Sequence, residues 1–378
     1  MRIVGRSTLN PATPGTARAA ATFPTFTTLS DGSLLATYSI GSTKDSDDLT
    51  VELRRSSDGG ATWTDPVAPF ETTVLGRRGS LKFAPITRLD GDRLIVVVLW
   101  IDLEAFPGRP LFNPETEGCL PMAILVAESI DAGHTWTPWR AVPMPADVGP
   151  PSLTNAIVRF PSGRLLLSVE TNKPYLDASP WLQRVVHLWS DDDGASWSEP
   201  RTVVADPTGR VANWDQRGAV APDGRLVSFA WIHDFETVSY LDIRRRISAD
   251  EGRSFGPPDD LGFADQPGHP AILLDGRVVL AWVDRFGTRS IRARIAASID
   301  APFDPDTEIV LFDAAAESAV DGGSPSGTTG DALVDMQTWS YGLCHADTLP
   351  NGDVGVVHYA PGEAGGIEVR WLRVAVDG

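Results

Sequence analysis

Hydrophobic and polar residues follow one pattern along this chain, and the pattern returns six times. Each time a short β-prone run ends in a glycine-containing turn and a second apolar run follows, as in LSDGSLLATYS and FPSGRLLLSVE. Such turns between β-prone runs favour tight hairpins, because the turn needs a residue with positive φ. The pattern predicts six hairpins, with the turn glycines Gly32, Gly91, Gly163, Gly224, Gly276 and Gly352.

A polar motif recurs in phase with these hairpins. Its copies are SSDGGATW, SIDAGHTW, SDDDGASW and SADEGRSF, which begin at Ser56, Ser129, Ser190 and Ser248. A degenerate copy, SIDAPF, contains Asp300. Each unit is therefore predicted as strand, glycine turn, strand, loop, strand, Asp motif and strand. The last unit lacks its final strand, which the β-prone N-terminal MRIVGRST can supply.

Units of this kind predict an all-β fold, a six-bladed β-propeller with four-stranded blades and an N-terminal strand that closes the last blade. We expect one domain over residues 1–378, with residues 101–121 as a loop insertion in the second blade. A helical fold is excluded because 35 glycines and 30 prolines interrupt the chain too often.

Composition narrows the range of partners. A net charge of −18 repels phosphate backbones and anionic membranes, so we expect no nucleic-acid and no membrane binding. The two cysteines, Cys119 and Cys344, and the histidines show no metal-ligand spacing, and no glycine-rich phosphate loop is present. We therefore expect neither metal nor cofactor. The N-terminus lacks the apolar segment of a signal peptide, which favours a cytoplasmic location.

The motif Ser-x-Asp-x-Gly-x-x-Trp is similar to the Asp-box of sialidases and related propellers, and the resemblance covers essentially the whole chain. An Asp in such a turn can accept hydrogen bonds from its own turn, and the aromatic residue can pack between sheets. The resemblance implies that Asp58, Asp131, Asp192 and Asp250 are structural. It also implies that the active site lies at the opposite mouth of the ring, where the innermost strands begin.

Two carboxylates at that mouth resemble catalytic groups of sialidases. In SIGSTKDSDDLTVELRRS, Asp45 matches the acid/base aspartate, with Asp47 and Asp48 as alternatives. Asp215, in NWDQRGAVAPDG, stands where sialidases carry the glutamate that activates a nucleophilic tyrosine. Arg217 lies two residues further on and is expected on the same side of the strand, where it would bind an acidic sugar.

The nucleophile itself is displaced in this sequence. Leu343 stands at the position of the sialidase tyrosine, so Tyr341, on the same face of a continuous strand, becomes the candidate nucleophile. His345 shares that face and is a candidate base or hydrogen-bond donor. Thr22 occupies the place of the first of three arginines that hold the carboxylate of sialic acid.

Further polar groups are predicted near the mouth, and Trp214, Trp231 and Trp339 are candidates for stacking on a sugar ring. Arg289 lies in a segment that resembles the one carrying a later sialidase arginine. The candidate substrate-binding residues are Arg217, Arg289, Arg77, His269, His233 and Glu170.

The resemblance implies a carbohydrate-active enzyme, most directly a glycoside hydrolase that acts on an acidic sugar or oligosaccharide through a tyrosine and carboxylates. A polysaccharide lyase that cleaves uronic-acid glycans by β-elimination uses the same kinds of residue. A non-catalytic propeller that binds a glycan or a protein is the third alternative.

Overall fold

The computed structural model describes residues 1–263, 265–317, 336 and 338–376. The first strands are β1 (Arg2–Asn10), β2 (Ala20–Thr28), β3 (Leu34–Gly41), β4 (Thr50–Ser56), β5 (Thr73–Val74), β6 (Arg77–Lys82), β7 (Ile86–Arg88), β8 (Leu94–Asp102), β9 (Met122–Ser129) and β10 (Arg140–Ala141). The next are β11 (Ser152–Leu153), β12 (Val158–Arg159), β13 (Leu165–Glu170), β14 (Arg184–Ser190), β15 (Arg201–Ala205), β16 (Val211–Val220), β17 (Leu226–Asp234), β18 (Ser239–Ser248) and β19 (Asp259–Asp260). The last are β20 (Gln266–Pro267), β21 (Ala271–Ile272), β22 (Val278–Asp284), β23 (Ser290–Ala296), β24 (Ile309–Asp313), β25 (Gly342–Thr348), β26 (Val354–Pro361) and β27 (Ile367–Ala375). Short 3-10 helices occupy Ala146–Val148 and Pro305–Thr307.

These strands form the predicted β-propeller, in which each blade is an antiparallel sheet. Four sheets have the orders β10-β9-β8-β6, β11-β13-β14-β15, β16-β17-β18-β19 and β20-β22-β23-β24, with β7, β12 and β21 continuing the interrupted inner strands. The seven-stranded sheet joins the first blade, β2-β3-β4, to the last, β25-β26-β27, through one parallel pair between Ala20 and Ile367. The first and last blades are thus joined in one sheet.

The N-terminal strand closes the ring, as the sequence predicts. β1 lies antiparallel to β27 from Arg2 opposite Ala375 to Asn10 opposite Val369. The last blade therefore takes its outermost strand from the beginning of the chain. This pairing joins the two ends of the chain in one sheet.

The predicted hairpin turns also form. All six turn glycines have positive φ: Gly32, Gly91, Gly163, Gly224, Gly276 and Gly352 have values of 83°, 56°, 90°, 86°, 88° and 87°. Side chains other than that of glycine rarely adopt this conformation. The turns lie at one end of each blade, which sends the second strand back toward the opposite end.

The Asp-motif turns are built alike. Ser56 Oγ donates to Asp58 Oδ1 at 2.8 Å and accepts from the Gly60 amide at 2.8 Å. Thr62 donates from its amide to Asp58 Oδ1 at 2.9 Å and from its hydroxyl to Oδ2 at 2.6 Å. These bonds lower the pKa of Asp58 to about 2, the Thr62 hydroxyl contributing most. The same pattern recurs around Asp131, Asp192 and Asp250.

Strand register places these turns at the end of each blade that carries the hairpin glycines. In the first blade Leu34 pairs with both Thr28 and Ser56, next to the Gly32 turn and the Asp58 turn. The motif tryptophan Trp63 packs edge-on against Trp371 of the last blade, with ring centroids 5.5 Å apart. Apolar clusters between adjacent sheets complete the core.

We predict that Asp58→Ala destabilises the fold without affecting activity. The substitution removes the carboxylate that accepts hydrogen bonds from Ser56 and Thr62. Because this carboxylate is exposed, the free energy of unfolding should fall by only about 1 kcal/mol. Urea unfolding of the variant beside Asp65→Ala, an exposed aspartate in the same loop, measures the difference. An equal effect of both substitutions would show that the turn contributes nothing specific.

Within the described residues, no helix is long and apolar enough to cross a membrane.

Candidate functional site

The inner strands of the blades are all interrupted at corresponding positions. In β2, β16 and β25 the pairing register shifts between Thr22 and Thr25, between Trp214 and Arg217, and between Gly342 and His345. In the other blades a break separates β6 from β7, β11 from β12 and β20 from β21. A β-bulge adds a residue to one strand and redirects its side chains.

The residues at these interruptions form the wall of a cavity. Phe23, Phe83, Asp215 and Leu343 each have positive φ, between 41° and 56°, which is uncommon for residues other than glycine. All four line one cavity of about 140 Å³, together with Thr154 and Gln266 from the remaining blades. Every inner strand thus contributes to one central cavity at the mouth of the propeller.

The loop insertion also reaches this cavity. β8 extends to Asp102, so the connection begins two residues later than predicted and runs to β9. Leu111 and Phe112 of this connection line the cavity. The insertion therefore forms part of the wall of the site.

Asp45 lines the cavity together with two lysines, Lys44 and Lys82. The Lys82 ammonium forms an ion pair with its carboxylate and lies 4.7 Å from the Phe23 ring centroid. Lys44, adjacent in the chain, is 7% exposed and donates from Nζ to the Met336 carbonyl. Burial lowers the pKa of Lys44 to about 7, against the opposing effect of the Asp45 carboxylate.

Asp215 enters the cavity from the bulge in β16. Gln266 Nε2 donates to its Oδ2, and Arg217 Nη2 lies 3.6 Å from its Oδ1. The guanidinium of Arg217 also lies over the Phe83 ring, 5.3 Å from the centroid. Asp45, Asp215 and Arg217, three of the residues that the sequence analysis proposes for the site, all line this cavity.

A buried arginine supports Asp215 from behind. Arg285 is 1% exposed, and its Nη2 donates to Gln266 Oε1 at 3.2 Å and to the Tyr341 carbonyl at 3.1 Å. Because Arg285 binds the amide oxygen of Gln266, the amide nitrogen points toward Asp215. Trp339, which lines the cavity, lies under the guanidinium at 3.8 Å.

Glu170 lies behind the cavity wall. It is 5% exposed and accepts hydrogen bonds from Thr154 Oγ1 at 2.9 Å and from the Gln216 amide at 3.0 Å. Burial, and then the charge of Asp215, raise the pKa of Glu170. Glu170 therefore belongs to the support of Asp215 and is absent from the cavity lining, where substrate binding had been predicted.

Tyr359, and not Tyr341, is the tyrosine that lines the cavity. It lies on β26 opposite Gly342, is 1% exposed and lines the cavity. Burial raises its pKa, as do the charges of Asp45 and Asp215, whereas Arg285 acts in the opposite direction. The side chain reaches the cavity past Gly342, whose φ is 145°.

We predict that Gly342→Ala displaces this phenol. An added Cβ would lie 2.8 Å from Arg285 Nη2 and 3.1 Å from Tyr359 Oη, closer than ordinary contacts. A shift of about half an ångström or more should lower kcat/KM by about tenfold. Gly352→Ala at the far end of the same hairpin is the matched control, since its φ is 87° and its Cβ would meet no atom within 4 Å. Equal kinetic losses in both variants would contradict the role of Gly342.

Tyr341 does not line this cavity, contrary to the expectation of a shared strand face. β25 begins only at Gly342, and the bulge that follows breaks the two-residue alternation on which the expectation rests. The Tyr341 side chain is fully buried and packs against Phe312 between the last two blades, with ring centroids 5.2 Å apart.

The same bulge moves His345 away from the cavity lining. His345 stacks on His269, with ring centroids 4.3 Å apart, where the inner strands of two blades meet. His269 Nδ1 lies 3.1 Å from the Ala346 carbonyl. Burial lowers the pKa of both histidines, that of His269 to about 4. Both rings therefore pack against each other outside the cavity lining.

Three further predicted residues lie elsewhere. His233 is 1% exposed and stacks on Trp214 at 5.0 Å, and burial lowers its pKa to about 4. Arg77 pairs with Asp102, with Nε 2.7 Å from Oδ2. Arg289 is exposed between β22 and β23. None of the three lines the cavity.

Sequence reasoning missed Lys44, Tyr359 and the support from Gln266 as parts of the site. Prolines were an available signal for the bulges, since Pro24, Pro85 and Pro267 interrupt inner strands where a ladder residue needs an N–H. The bulge that misplaces Tyr341 and His345 lies in β25, which contains no proline, so this signal would not have corrected those two predictions.

Comparisons with known proteins agree with this architecture. No protein-family model and no curated protein sequence matches the chain. Among solved structures, a protein of unknown function from Dyadobacter fermentans aligns over 99% of this chain and 100% of its own, with a TM-score of 0.73 and 20% identity. The NanB sialidase from Streptococcus pneumoniae aligns over 98% and 70%, with a TM-score of 0.65 and 12% identity. An α-L-arabinanase from Penicillium chrysogenum aligns over 99% of each chain, with a TM-score of 0.64 and 16% identity. These similarities show a β-propeller fold that glycosidases use.

Proposed function

We propose that this protein is a glycoside hydrolase that cleaves the glycosidic bond of an anionic sugar in the central cavity. The observation that carries the proposal is the convergence of Asp45, Asp215 and Tyr359 on one cavity at the propeller mouth. Catalytic groups need such convergence, because each must reach the same reacting atoms. The sialidase and the arabinanase among the structural neighbours support the class of reaction by analogy of fold.

The charge of the cavity favours an anionic substrate. Lys44, Lys82 and Arg217 line it against two carboxylates, Asp45 and Asp215. Behind the lining lie Arg285 and Glu170, and burial raises the pKa of Glu170 and so disfavours its charged form. This excess of cationic groups occurs in a chain whose net charge is −18. A locally cationic cleft attracts an anion even when the whole protein is acidic.

The arrangement suits attack by the phenol. Tyr359 Oη forms a bond with the anomeric carbon as the glycosidic C–O bond breaks, and the phenol proton passes to Asp215. Asp45 and Lys82, which share an ion pair, together deliver a proton to the leaving oxygen. In the second step water attacks the anomeric carbon, the pair accepts a water proton, and Asp215 returns its proton to Tyr359. A phenol carries no charge that would repel an anionic sugar.

Aryl glycosides test this proposal. We expect release of 4-nitrophenol from a sialoside or a glucuronide to be at least about a hundredfold faster than from neutral arabinofuranosides and glucosides. NMR of the first product should show retained anomeric configuration, because two displacements occur. Faster cleavage of neutral glycosides, or cleavage of none, would overturn the proposal.

A lyase is the second candidate, and the depressed pKa of Lys44, about 7, is the observation that favours it. The neutral amine would remove the C5 proton of a uronate while the C4–O bond breaks, and the Asp45–Lys82 pair would give a proton to the leaving oxygen. The products would be an alcohol and a uronate with a C4–C5 double bond, and no water would be consumed. Ultraviolet absorbance of the unsaturated product distinguishes the two reactions. Absorbance that grows in step with chain cleavage would establish elimination, and cleavage without it would establish hydrolysis.

A further inference from the structure

Lysine is rare in this protein and is confined to its interior. Among 32 basic residues only Lys44, Lys82 and Lys173 are lysine, and the others are arginine. Lys44 and Lys173 are each 7% exposed, and the Lys82 side chain is 15% exposed. Lysine and arginine are not equivalent at such positions, because an amine can lose its proton near neutral pH and a guanidinium cannot. Two of the three lysines line the same cavity.

Lys44 lies in a cage of aromatic rings. Its Nζ is 5.9, 5.7 and 5.5 Å from the ring centroids of Phe23, Trp339 and Tyr359, and it donates to the Met336 carbonyl. Ring faces attract a cation, but they replace the water that solvates an exposed ammonium only in part.

Four charged groups act on this amine. Asp45 and Asp215 favour its protonated form, whereas Arg285 and Lys82 oppose it. Loss of hydration is the largest effect, and it lowers the pKa of Lys44 to about 7. Near neutral pH the amine is therefore divided between its neutral and its charged form, and one additional negative charge in the cavity would shift it toward the charged form.

We propose that Lys44 recognises the anionic group of the substrate and takes up a proton as that group enters the cavity. The inference rests on the proposed function in one respect, the anionic character of the sugar. The entering anion supplies the charge that the dehydrated amine lacks, so protonation and binding favour each other. A neutral ligand gains nothing from this coupling. Lys44 is thus a specificity-determining residue that discriminates between charged and neutral sugars.

The proposal fixes the direction in which affinity for the anionic sugar changes with pH. The protonated amine is the form that binds, so affinity for an anionic sugar is nearly constant below the pKa of free Lys44. Above it, affinity falls by about tenfold for each unit of pH, until the pKa of the complex is reached. Between pH 7 and pH 8.5 we expect the Kd to rise by about tenfold.

Calorimetry with defined probes tests the coupling. The probes are the methyl glycosides of glucuronic acid and of N-acetylneuraminic acid, with methyl glucoside as the neutral comparison. Titration at pH 7.5 in phosphate and in Tris, which differ in ionisation enthalpy, measures the protons taken up. We expect more than about half a proton per anionic ligand bound. Binding of an anionic probe without proton uptake would overturn the inference while leaving the proposed function intact.

Variants assign the proton to its residue. Lys44→Met should abolish the uptake and the pH dependence of the Kd, and Lys44→Arg should bind the anion without uptake because arginine is already charged. Lys173→Met is the matched control, since Lys173 is equally buried, donates to the Ser179 carbonyl and is absent from the cavity lining. Uptake that persists in Lys44→Met overturns the inference.

A measurement on the unmutated protein tests the same proposal without depending on whether the variants fold. Reductive methylation with ¹³C-formaldehyde labels three lysines and the N-terminus, so the NMR signals are few enough to assign. We expect the Lys44 signal to titrate near pH 7 and to move to higher pH when an anionic probe is added. Titration of Lys44 at its ordinary pKa would overturn the inference. Binding of the neutral sugar alone would overturn the proposed function as well.

Discussion

Replacement of Tyr359 by phenylalanine is expected to lower kcat/KM by about a thousandfold or more, because the ring remains and the oxygen that attacks the anomeric carbon is lost. Tyr359 lines the cavity from β26, where the carboxylates of Asp45 and Asp215 both act on its phenol. Steady-state kinetics on the preferred aryl glycoside gives the effect. KM should change little, since the phenylalanine ring fills the same wall of the cavity.

Tyr341→Phe is the matched control. Tyr341 lies outside the cavity lining and packs against Phe312 between two blades. We expect its replacement to change kcat/KM by less than about threefold, with a small loss of stability. If Tyr341→Phe inactivates the protein and Tyr359→Phe does not, the assignment of the phenol is wrong and the sequence-based candidate is right.

Asp215→Asn is expected to have the second large effect, a loss of about a hundred- to a thousandfold in kcat. The substitution keeps the shape of the side chain, and Gln266 Nε2 can still donate to the amide oxygen. The charge that accepts the phenol proton disappears, and Arg217, 3.6 Å from the carboxylate, loses its ion-pair partner. Activity should fall while the melting temperature stays within a few degrees of wild type.

Asp147→Asn provides the control for Asp215. Asp147 also pairs with an arginine, Arg184, at 3.2 Å, but its side chain is 70% exposed and is absent from the cavity lining. No kinetic effect is expected there. Rescue of an Asp215→Gly variant by azide, with formation of a glycosyl azide, would contradict the account, because it would make the carboxylate itself the nucleophile.

The fold could be predicted from the sequence because its signals are local and repeated. Each turn glycine, such as Gly224, and each motif aspartate, such as Asp192, imposes its own conformation without help from distant residues. The strand pairing of the first and last blades also follows from the pattern, since the sixth unit lacks a strand and the N-terminus supplies one. Around Asp192, for example, the hydrogen bonds to the carboxylate come from Ser190 and Ser196 of the same motif, so each copy can form the same turn.

The site could be predicted only in part, for a geometric reason. Asp45 follows a strand end, so its place near the mouth does not depend on strand register. Tyr341 and His345 were placed by alternation along β25, and the bulge at Leu343 invalidates that argument. Tyr359 comes from the next strand, where an alternation rule gives no reason to expect a cavity residue.

The lysines show what composition could have added. Their total of three is visible in the sequence, but composition does not distinguish Lys44 from Lys173, which is equally buried and lies outside the cavity lining. Burial of Lys44 among Phe23, Trp339 and Tyr359 required the structure, because these residues come from distant parts of the chain.

The most direct test of the central claim is a crystal structure of Asp215→Asn soaked with the anionic glycoside that the wild-type protein cleaves fastest. The account predicts a sugar in the central cavity, with its anomeric carbon within about 3.5 Å of Tyr359 Oη and its anionic group in contact with Lys44. A sugar bound elsewhere, such as in the open groove lined by Tyr240, Trp282 and Arg292, would contradict it. A sugar in the cavity with its anomeric carbon far from Tyr359 would also contradict it.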